Sequence, residues 1–298
     1  MAVDGYVMQL QPFSVNDGNG IRTTIFLAGC PLRCKWCSNP EGLIRSPLVG
    51  WYERRCTGCG ACSSVCPKRI GCNLNQNREE CSACGRCSKV CPTGARTNMV
   101  SLLDADTILS DLQRDEIFYR YSGGGVTFSG GEATAQPALL DYLSSKLYDR
   151  NISMTLESCG YFEFEKVKDI LARMDLIFMD LKLFDDCKHK QYTGVSNQCI
   201  LNNIRHLAEI SAAVIIRIPV IGGVNNDEQN IRLSARYVHD NLPKAKMELL
   251  PYHTLGTVKY EAIGMPYATE DFYRPTPEEL EHLKNIVRAE GVELEDFR

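Results

Sequence analysis

Along most of the chain, short apolar runs alternate with longer stretches whose apolar residues recur at helical spacing. Val7 to Leu10 and Ile25 to Leu27 read as strands. From Asp104 onward the pattern is regular. A helix is predicted over Asp104 to Asp115, with Asp106 or Thr107 near its start as a cap, and then a strand over Gly124 to Ser129. Further helices are predicted over Pro137 to Asp149, Glu163 to Met174, about Asn197 to Glu209, Asp227 to Asp240 and from about Pro277 to Ala289. Between them lie strands over Ile152 to Leu156, Leu176 to Met179, Ala213 to Ile218 and Lys246 to Leu250. Short apolar strands alternating with amphipathic helices are βα units around a parallel sheet. Counted with the strand at Ile25 there are about six, short of the eight of a closed barrel. The expected fold class is α/β, an open, partial (β/α)6 TIM-like barrel.

The pattern breaks once. From about Trp51 to Thr97 the chain is dense in Cys, Gly, Lys and Arg and has neither helical nor strand periodicity. Such a segment cannot hold a hydrophobic core, so something other than packing must order it. Three regions follow: the start of the barrel in 1–50, an inserted small domain in 51–100, and the remainder of the barrel in 101–298.

The whole chain has 298 residues and a net charge of −4, which calls for no nucleic-acid or anionic-membrane partner. No apolar run is long enough to span a bilayer, and MAVDGYVMQLQ lacks the basic start and apolar core of a signal peptide, so a cytoplasmic protein is expected. Fifteen cysteines in that setting argue for metal rather than disulfides.

Their spacing carries the chemistry. Cys56-x2-Cys59-x2-Cys62-x3-Cys66-Pro67 is repeated as Cys81-x2-Cys84-x2-Cys87-x3-Cys91-Pro92. The word matches the bacterial ferredoxin run, in which the fourth cysteine ligates the other cluster. Cys56, Cys59, Cys62 and Cys91 are therefore assigned to one [4Fe-4S] cubane, and Cys66, Cys81, Cys84 and Cys87 to a second. The prolines help turn the chain away from each cluster. A zinc ribbon would explain two Cys-x2-Cys knuckles, not four cysteines per word. Cys72 lies between the words and is read as a spectator rather than a ligand.

A third set stands earlier, in GIRTTIFLAGCPLRCKWCSNP. Cys30-x3-Cys34-x2-Cys37 offers three thiolates within eight residues, directly after the Ile25 strand. A four-iron cluster normally takes four, so one iron is left without a protein ligand and open to a substrate. This loop resembles that of the radical S-adenosylmethionine (SAM) enzymes. The surrounding words, Asp17-Gly18-x-Gly20-Ile21-Arg22, Phe26-Leu27 and Cys37-x-Asn39-Pro40, resemble more narrowly the activating enzymes of glycyl radical enzymes. Asn19 stands where that family usually has proline.

Polar residues also gather at the carboxyl ends of the predicted strands, where parallel α/β folds build ligand sites. Ser129-Gly130-Gly131-Glu132 closes one strand, and its glycines allow a backbone to approach a ligand. Glu157-Ser158 closes the next. Asp180 and Lys182 share one face of the following strand by alternation, and an ion pair between them is the plain reading. Arg217 is a charge in an apolar strand and needs a carboxylate partner. Tyr252-His253 follows Pro251. The resemblance implies roles for each. It places Gly130, Gly131 and Glu132 at the methionyl amino group of SAM, although Ala133 stands where the family often has proline. It places Glu157 and Ser158 at the ribose or at a monovalent cation near Glu157 and Asp180. It sets Asp180 and Lys182 beside SAM and the incoming substrate, Arg217 on the SAM carboxylate, and His253 at the adenosine end. Cys72, Cys159, Cys187 and Cys199 are left as plain thiols.

The resemblance also implies the activity. A reduced three-cysteine cluster passes one electron to the sulfonium of SAM, giving methionine and a 5′-deoxyadenosyl radical. That radical takes a hydrogen atom from a backbone glycine of a partner glycyl radical enzyme, whose loop enters through the open side of the barrel. Three [4Fe-4S] clusters, SAM, a monomeric chain and a donor such as flavodoxin or ferredoxin complete the expectation, with the two insert clusters relaying electrons. The alternatives are a radical SAM enzyme acting on a small molecule or peptide, and a ferredoxin-like electron carrier.

Overall fold

The computed structural model describes residues 3–267 and 271–297. Among these residues nine strands form one sheet: β1 (Asp4–Ser14), β2 (Arg22–Leu27), β3 (Leu48–Trp51), β4 (Arg96–Asp104), β5 (Gly125–Gly130), β6 (Ser153–Ser158), β7 (Leu176–Asp180), β8 (Ala213–Val220) and β9 (Lys246–Pro251). Their order is β3-β4-β1-β2-β5-β6-β7-β8-β9. From β2 to β9 every neighbour is parallel, while β1, β4 and β3 extend the β2 edge in antiparallel fashion. The class is thus α/β with a mostly parallel sheet, and its six parallel strands stand in chain order.

Among the described residues eleven α-helices accompany the sheet: α1 (Ala61–Ser64), α2 (Arg86–Val90), α3 (Ala105–Arg114), α4 (Glu116–Ser122), α5 (Pro137–Asp149), α6 (Phe164–Leu171), α7 (Asp186–Thr193), α8 (Gln198–His206), α9 (Glu228–Asn241), α10 (Thr257–Ile263) and α11 (Pro277–Ala289). The strands read as continuous apolar runs because both faces are covered. Ile25, Val126, Phe128, Leu156, Ile177 and Ile216 all lie in the main core, with Leu139, Leu140 and Leu143 of α5. Local signals set the helix bounds. Pro137 and Pro277 occupy first-turn positions, and Thr276 and Glu279 form a capping box. The cap of α3 is Asp104, which accepts from the Thr107 N–H at 2.9 Å, rather than the expected Asp106 or Thr107. Helix α6 is shorter than predicted and β1 longer. The polar half of β1 is held by its ladder to β2, not by its own side chains.

Strands β3 and β4 border the cysteine-rich segment and were not predicted. They pair with each other, and β4 also pairs with β1. Between them the chain makes only short helical turns. It is tied to the rest by Arg78, which donates to the carbonyls of Val49 and Ala262 at 2.9 and 2.8 Å, and by Asn75, which donates to Glu261 O at 2.8 Å.

The Asp17–Arg22 word has a structural task. Arg22 is buried and donates to Thr127 Oγ1 at 2.7 Å and to the carbonyls of Asn19, Val126 and Ser153 at 3.1, 2.8 and 3.2 Å. Burial lowers its pKa to about 10. One side chain thereby joins β2, β5 and β6 at their amino ends. Asp17 accepts from Thr24 and, through its carbonyl, from Thr127, both at 2.7 Å.

Candidate active site

The carboxyl ends of the parallel strands open into a cavity of about 640 Å³. That is within the ordinary range for a site holding a nucleoside-sized molecule. Cys30, Cys34 and Cys37 line it, together with Gly130, Gly131, Glu157, Ser158, Asp180, Lys182, Arg217 and His253. Glu132 is the exception among the expected residues. Its carboxylate accepts from Thr134 Oγ1 at 2.7 Å, Ser158 Oγ at 3.0 Å and the Cys159 N–H at 2.7 Å, so it braces the ends of β5 and β6 instead of facing the cavity.

The glycines are required by close approach. A Cβ on Gly130, whose φ is +120°, would stand 2.1 Å from Leu27 O, and one on Gly131 would stand 2.3 Å from Gly42 O. The N–H groups of Gly131 and Glu132 donate to the carbonyls of Leu27 and Gly29, both at 2.8 Å. What this turn can offer a ligand there is acceptor oxygen, which suits an ammonium group.

Two ion-pair systems line the wall. Lys182 Nζ donates to Asp180 Oδ2 at 2.6 Å. Burial pulls the Lys182 ammonium down, but Asp180 and Cys34 outweigh it and its pKa is raised, so the charge is held. Arg217 binds Glu157 and Glu248, each at 2.6 Å, with its guanidinium carbon 3.4 Å from the Phe178 ring centroid. The carboxylate partners that an apolar strand demands for this charge are thus met within the chain, and Arg217 also lines the cavity. Ser129 Oγ donates to the second oxygen of Glu157 at 2.5 Å. Burial pushes the Glu157 carboxyl up against the opposing effect of Arg217. Glu157 and Asp180, the expected cation ligands, are each already paired with a basic side chain.

The cysteine loop is clasped from two sides. Arg33 and Lys35 N–H groups donate to the carbonyls of Thr193 and Tyr192 at 2.7 and 3.0 Å, and Tyr260 of α10 donates to Cys37 O at 3.1 Å. Burial pushes the Cys34 thiol up to about 12 and also raises that of Cys37. The Cys30 thiol is lowered by a hydrogen bond with Cys159, whose own pKa that same bond pushes well up. Cys159 was read as a bystander; its place right after Glu157-Ser158 was the available signal. Glu248 was missed outright, as was Asn16; Asp17 was noted only within its glycine-rich word, and Asn16 and Asp17 line the cavity.

In the cysteine-rich segment, Cys56, Cys59, Cys62 and Cys91 line one small cavity and Cys66, Cys81, Cys84 and Cys87 a second. Cys72 lines the first as well. Among the described residues no group of three or more His, Cys, Asp and Glu is arranged to hold a single metal ion. Three thiols on one loop beside an open cavity, and two sets of four, are the donor sets that four-iron clusters take. The residues present fit those groups.

Comparison with known proteins bears on the class first. Residues 67–233 match the radical SAM superfamily, and residues 49–70 match the 4Fe-4S binding domain. A radical SAM methyltransferase from Sphaerobacter thermophilus shares the fold at a TM-score of 0.55 and 14% identity, over 97% of this chain and 76% of that one. The curated relatives are narrower. The trans-4-hydroxy-L-proline dehydratase activating enzyme of Clostridioides difficile is 38% identical over 95% of this chain and 96% of its own. The choline trimethylamine-lyase activating enzyme of Oleidesulfovibrio alaskensis is 36% identical over 95% and 94%. The (2S)-3-sulfopropanediol sulfolyase activating enzyme of Bilophila wadsworthia is 40% identical over 89% and 91%. The chain belongs to the glycyl radical enzyme activating enzymes of the radical SAM superfamily.

Proposed function

We propose that this chain installs a glycyl radical in one partner enzyme, with Cys30, Cys34 and Cys37 holding the cluster at which SAM is cleaved. The observation that carries this is the meeting, in one cavity, of those three cysteines with Gly130, Gly131, Ser158, Asp180, Lys182, Arg217 and His253. When bound and reduced, the cluster supplies the single electron that splits SAM into methionine and a 5′-deoxyadenosyl radical, which takes a hydrogen atom from the partner's glycine. The chain's own residues bind and orient. The three thiolates leave one iron position open, the Gly130-Gly131 turn accepts from the SAM amino group, and Ser158 and His253 face the nucleoside. Glu132 acts by holding the two strand ends in place. A cation near Glu157 and Asp180 would compete with Arg217 and Lys182, and those two ion pairs already do its neutralising work.

The finer architecture belongs to the same reading: a partial (β/α)6 barrel whose open side admits the partner's loop, and a ferredoxin-like insert with two further [4Fe-4S] clusters. Among the described residues no helix is long and apolar enough to cross a membrane. A monomeric chain in the cytoplasm belongs to the same proposal. The partner belongs with the dehydratases and lyases that the relatives' names record. An electron carrier would leave the strand-end cavity without a purpose.

The test is anaerobic. The reconstituted protein is mixed with SAM, dithionite and, in turn, candidate glycyl radical enzymes of the dehydratase and lyase classes, and the electron paramagnetic resonance doublet of a glycyl radical is recorded. The doublet should appear, and should vanish when the partner's glycine is replaced by alanine. SAM cleavage that modifies a small molecule or peptide, with no radical in any glycyl radical enzyme, would point to the alternative radical SAM chemistry.

The two insert clusters are proposed as the route for electrons from flavodoxin or ferredoxin. Helix α10 joins the two regions, since Tyr260 bonds the Cys37 carbonyl while Arg78 and Asn75 bond the carbonyls of Ala262 and Glu261. With Cys59→Ala and Cys84→Ala combined, turnover driven by flavodoxin should fall to a small fraction while dithionite still supports SAM cleavage. Full flavodoxin-driven turnover would leave the clusters a structural role only.

A further inference from the structure

We propose that Trp51 and Arg96 raise the reduction potential of the cluster held by Cys56, Cys59, Cys62 and Cys91 above that of its neighbour, making it the first of the two to take an electron. The inference rests on the ligand assignment proposed above. Trp51 and Arg96 are register partners on β3 and β4, so their side chains leave the ladder on the same side. Both line the first insert cavity. They are 8% and 3% exposed. Trp51 Nε1 and Arg96 Nε are buried without a hydrogen-bond partner among the described residues.

The guanidinium is held from its other end. Its Nη2 donates to the carbonyls of Gly71 and Cys72 at 2.6 and 3.1 Å, so the charge is fixed beside the cavity. No carboxylate among the described residues pairs with it. A buried cation and two buried unmatched N–H groups at one cavity are costly, because water is lost and nothing replaces it. An anion there would satisfy all three. A cubane with four thiolates is such an anion, and it gains a further negative charge on reduction. A fixed cation and N–H groups directed at its sulfurs favour the reduced form, which raises the potential. The Arg96 main-chain N–H already lies 3.4 Å from Cys91 Sγ.

The second cavity lacks this arrangement. Its basic residues Lys68 and Arg86 are exposed, and among the described residues no buried unpartnered side-chain donor lines it. Exposed charges are screened by salt and act weakly. Trp51 and Arg96 both line the first cavity and not the second. A fixed charge acts over a longer range than a single N–H group, so the two residues have separable signatures.

The experiment is a potentiometric titration of the reconstituted full chain, followed by electron paramagnetic resonance, with iron measured on every sample. The SAM cluster is set apart by its response to added SAM. In the unsubstituted protein one insert cluster should reduce at a distinctly higher potential than the other. Arg96→Gln should make that cluster about tenfold harder to reduce at a given potential, a shift of about 59 mV for one electron, and should move its neighbour less. Trp51→Phe, which keeps the ring and removes the N–H, should lower the first cluster alone. Unchanged potentials in both variants with full iron, or equal shifts of both clusters in Trp51→Phe, would overturn the tuning role. Iron for a single cluster in the unsubstituted protein would overturn the ligand assignment itself, and the inference with it.

Discussion

The Cys34→Ala protein is expected to form no 5′-deoxyadenosine from SAM and dithionite, while keeping the iron of the two insert clusters proposed above. Cys34 stands in the middle of a loop that supplies only three thiols, and a cluster left with two protein ligands has no means of keeping its place beside the cavity. Alanine removes a single sulfur from a segment held by main-chain bonds at Arg33 and Lys35, so the fold should survive. The loss is then one of chemistry rather than folding. It has a second mark, since Cys34 helps hold the Lys182 charge, which is left to Asp180 and Cys159 in the variant. Iron, sulfide and 5′-deoxyadenosine are measured together. Product from the variant at the wild-type rate would remove these cysteines from the active centre. Silence from both proteins with clusters intact would leave only the electron carrier.

Arg217→Met is expected to have the largest effect on stability. Arg217 neutralises Glu157 and Glu248 at once, and Glu248 is 2% exposed. Removing one partner of a buried ionic group typically costs about 3–5 kcal/mol, because the remaining charge is left unpaired where water cannot reach it. The cost should depend on pH in a definite direction. Burial already raises the Glu157 pKa, and losing Arg217 raises it further. A carboxyl whose folded pKa lies above its unfolded value gives its full stabilisation below the unfolded pKa and loses it as pH rises through the folded pKa. The variant should therefore be closest to wild type at mildly acid pH and furthest from it in alkaline buffer. Chemical denaturation of wild type and Arg217→Met across that range is the measurement. A deficit independent of pH would show that the guanidinium mattered for its packing on Phe178 and not for its charge.

These two cases differ in how far a reader of the chain alone could have foreseen them. The cysteine loop is legible because cluster ligation is local: three thiols within eight residues reach one cubane whatever the rest of the chain does. Helix α5 is legible to the residue and α11 closely for the same reason, since proline in the first turn and a capping box act within a few positions. The β/α alternation after Asp104 is legible because period and apolar content are properties of each segment.

What the chain did not disclose depends on partners far apart in sequence. Strands β3 and β4 exist through their pairing with each other and with β1, and their residues have no strong pattern of their own. That Arg217 needs a carboxylate could be read from its apolar strand; that the carboxylate is Glu248 follows from the β8 to β9 register, which sets the two opposite. Glu132 sits inside a recognisable Gly-Gly-Glu word, yet its oxygens are taken up by Thr134, Ser158 and Cys159, an arrangement that only the joining of two strand ends creates. Trp51 and Arg96 flank the cysteine words at opposite ends and meet only because β3 and β4 run antiparallel. The sequence alone determined the metal chemistry, the order of the parallel βα units and the strand ends at which a cofactor is met, all from short-range spacing and periodicity. The tertiary structure decided which charges face each other, which N–H groups are buried unmatched and which expected ligand turns to bracing, because burial and register bring together residues that spacing cannot relate.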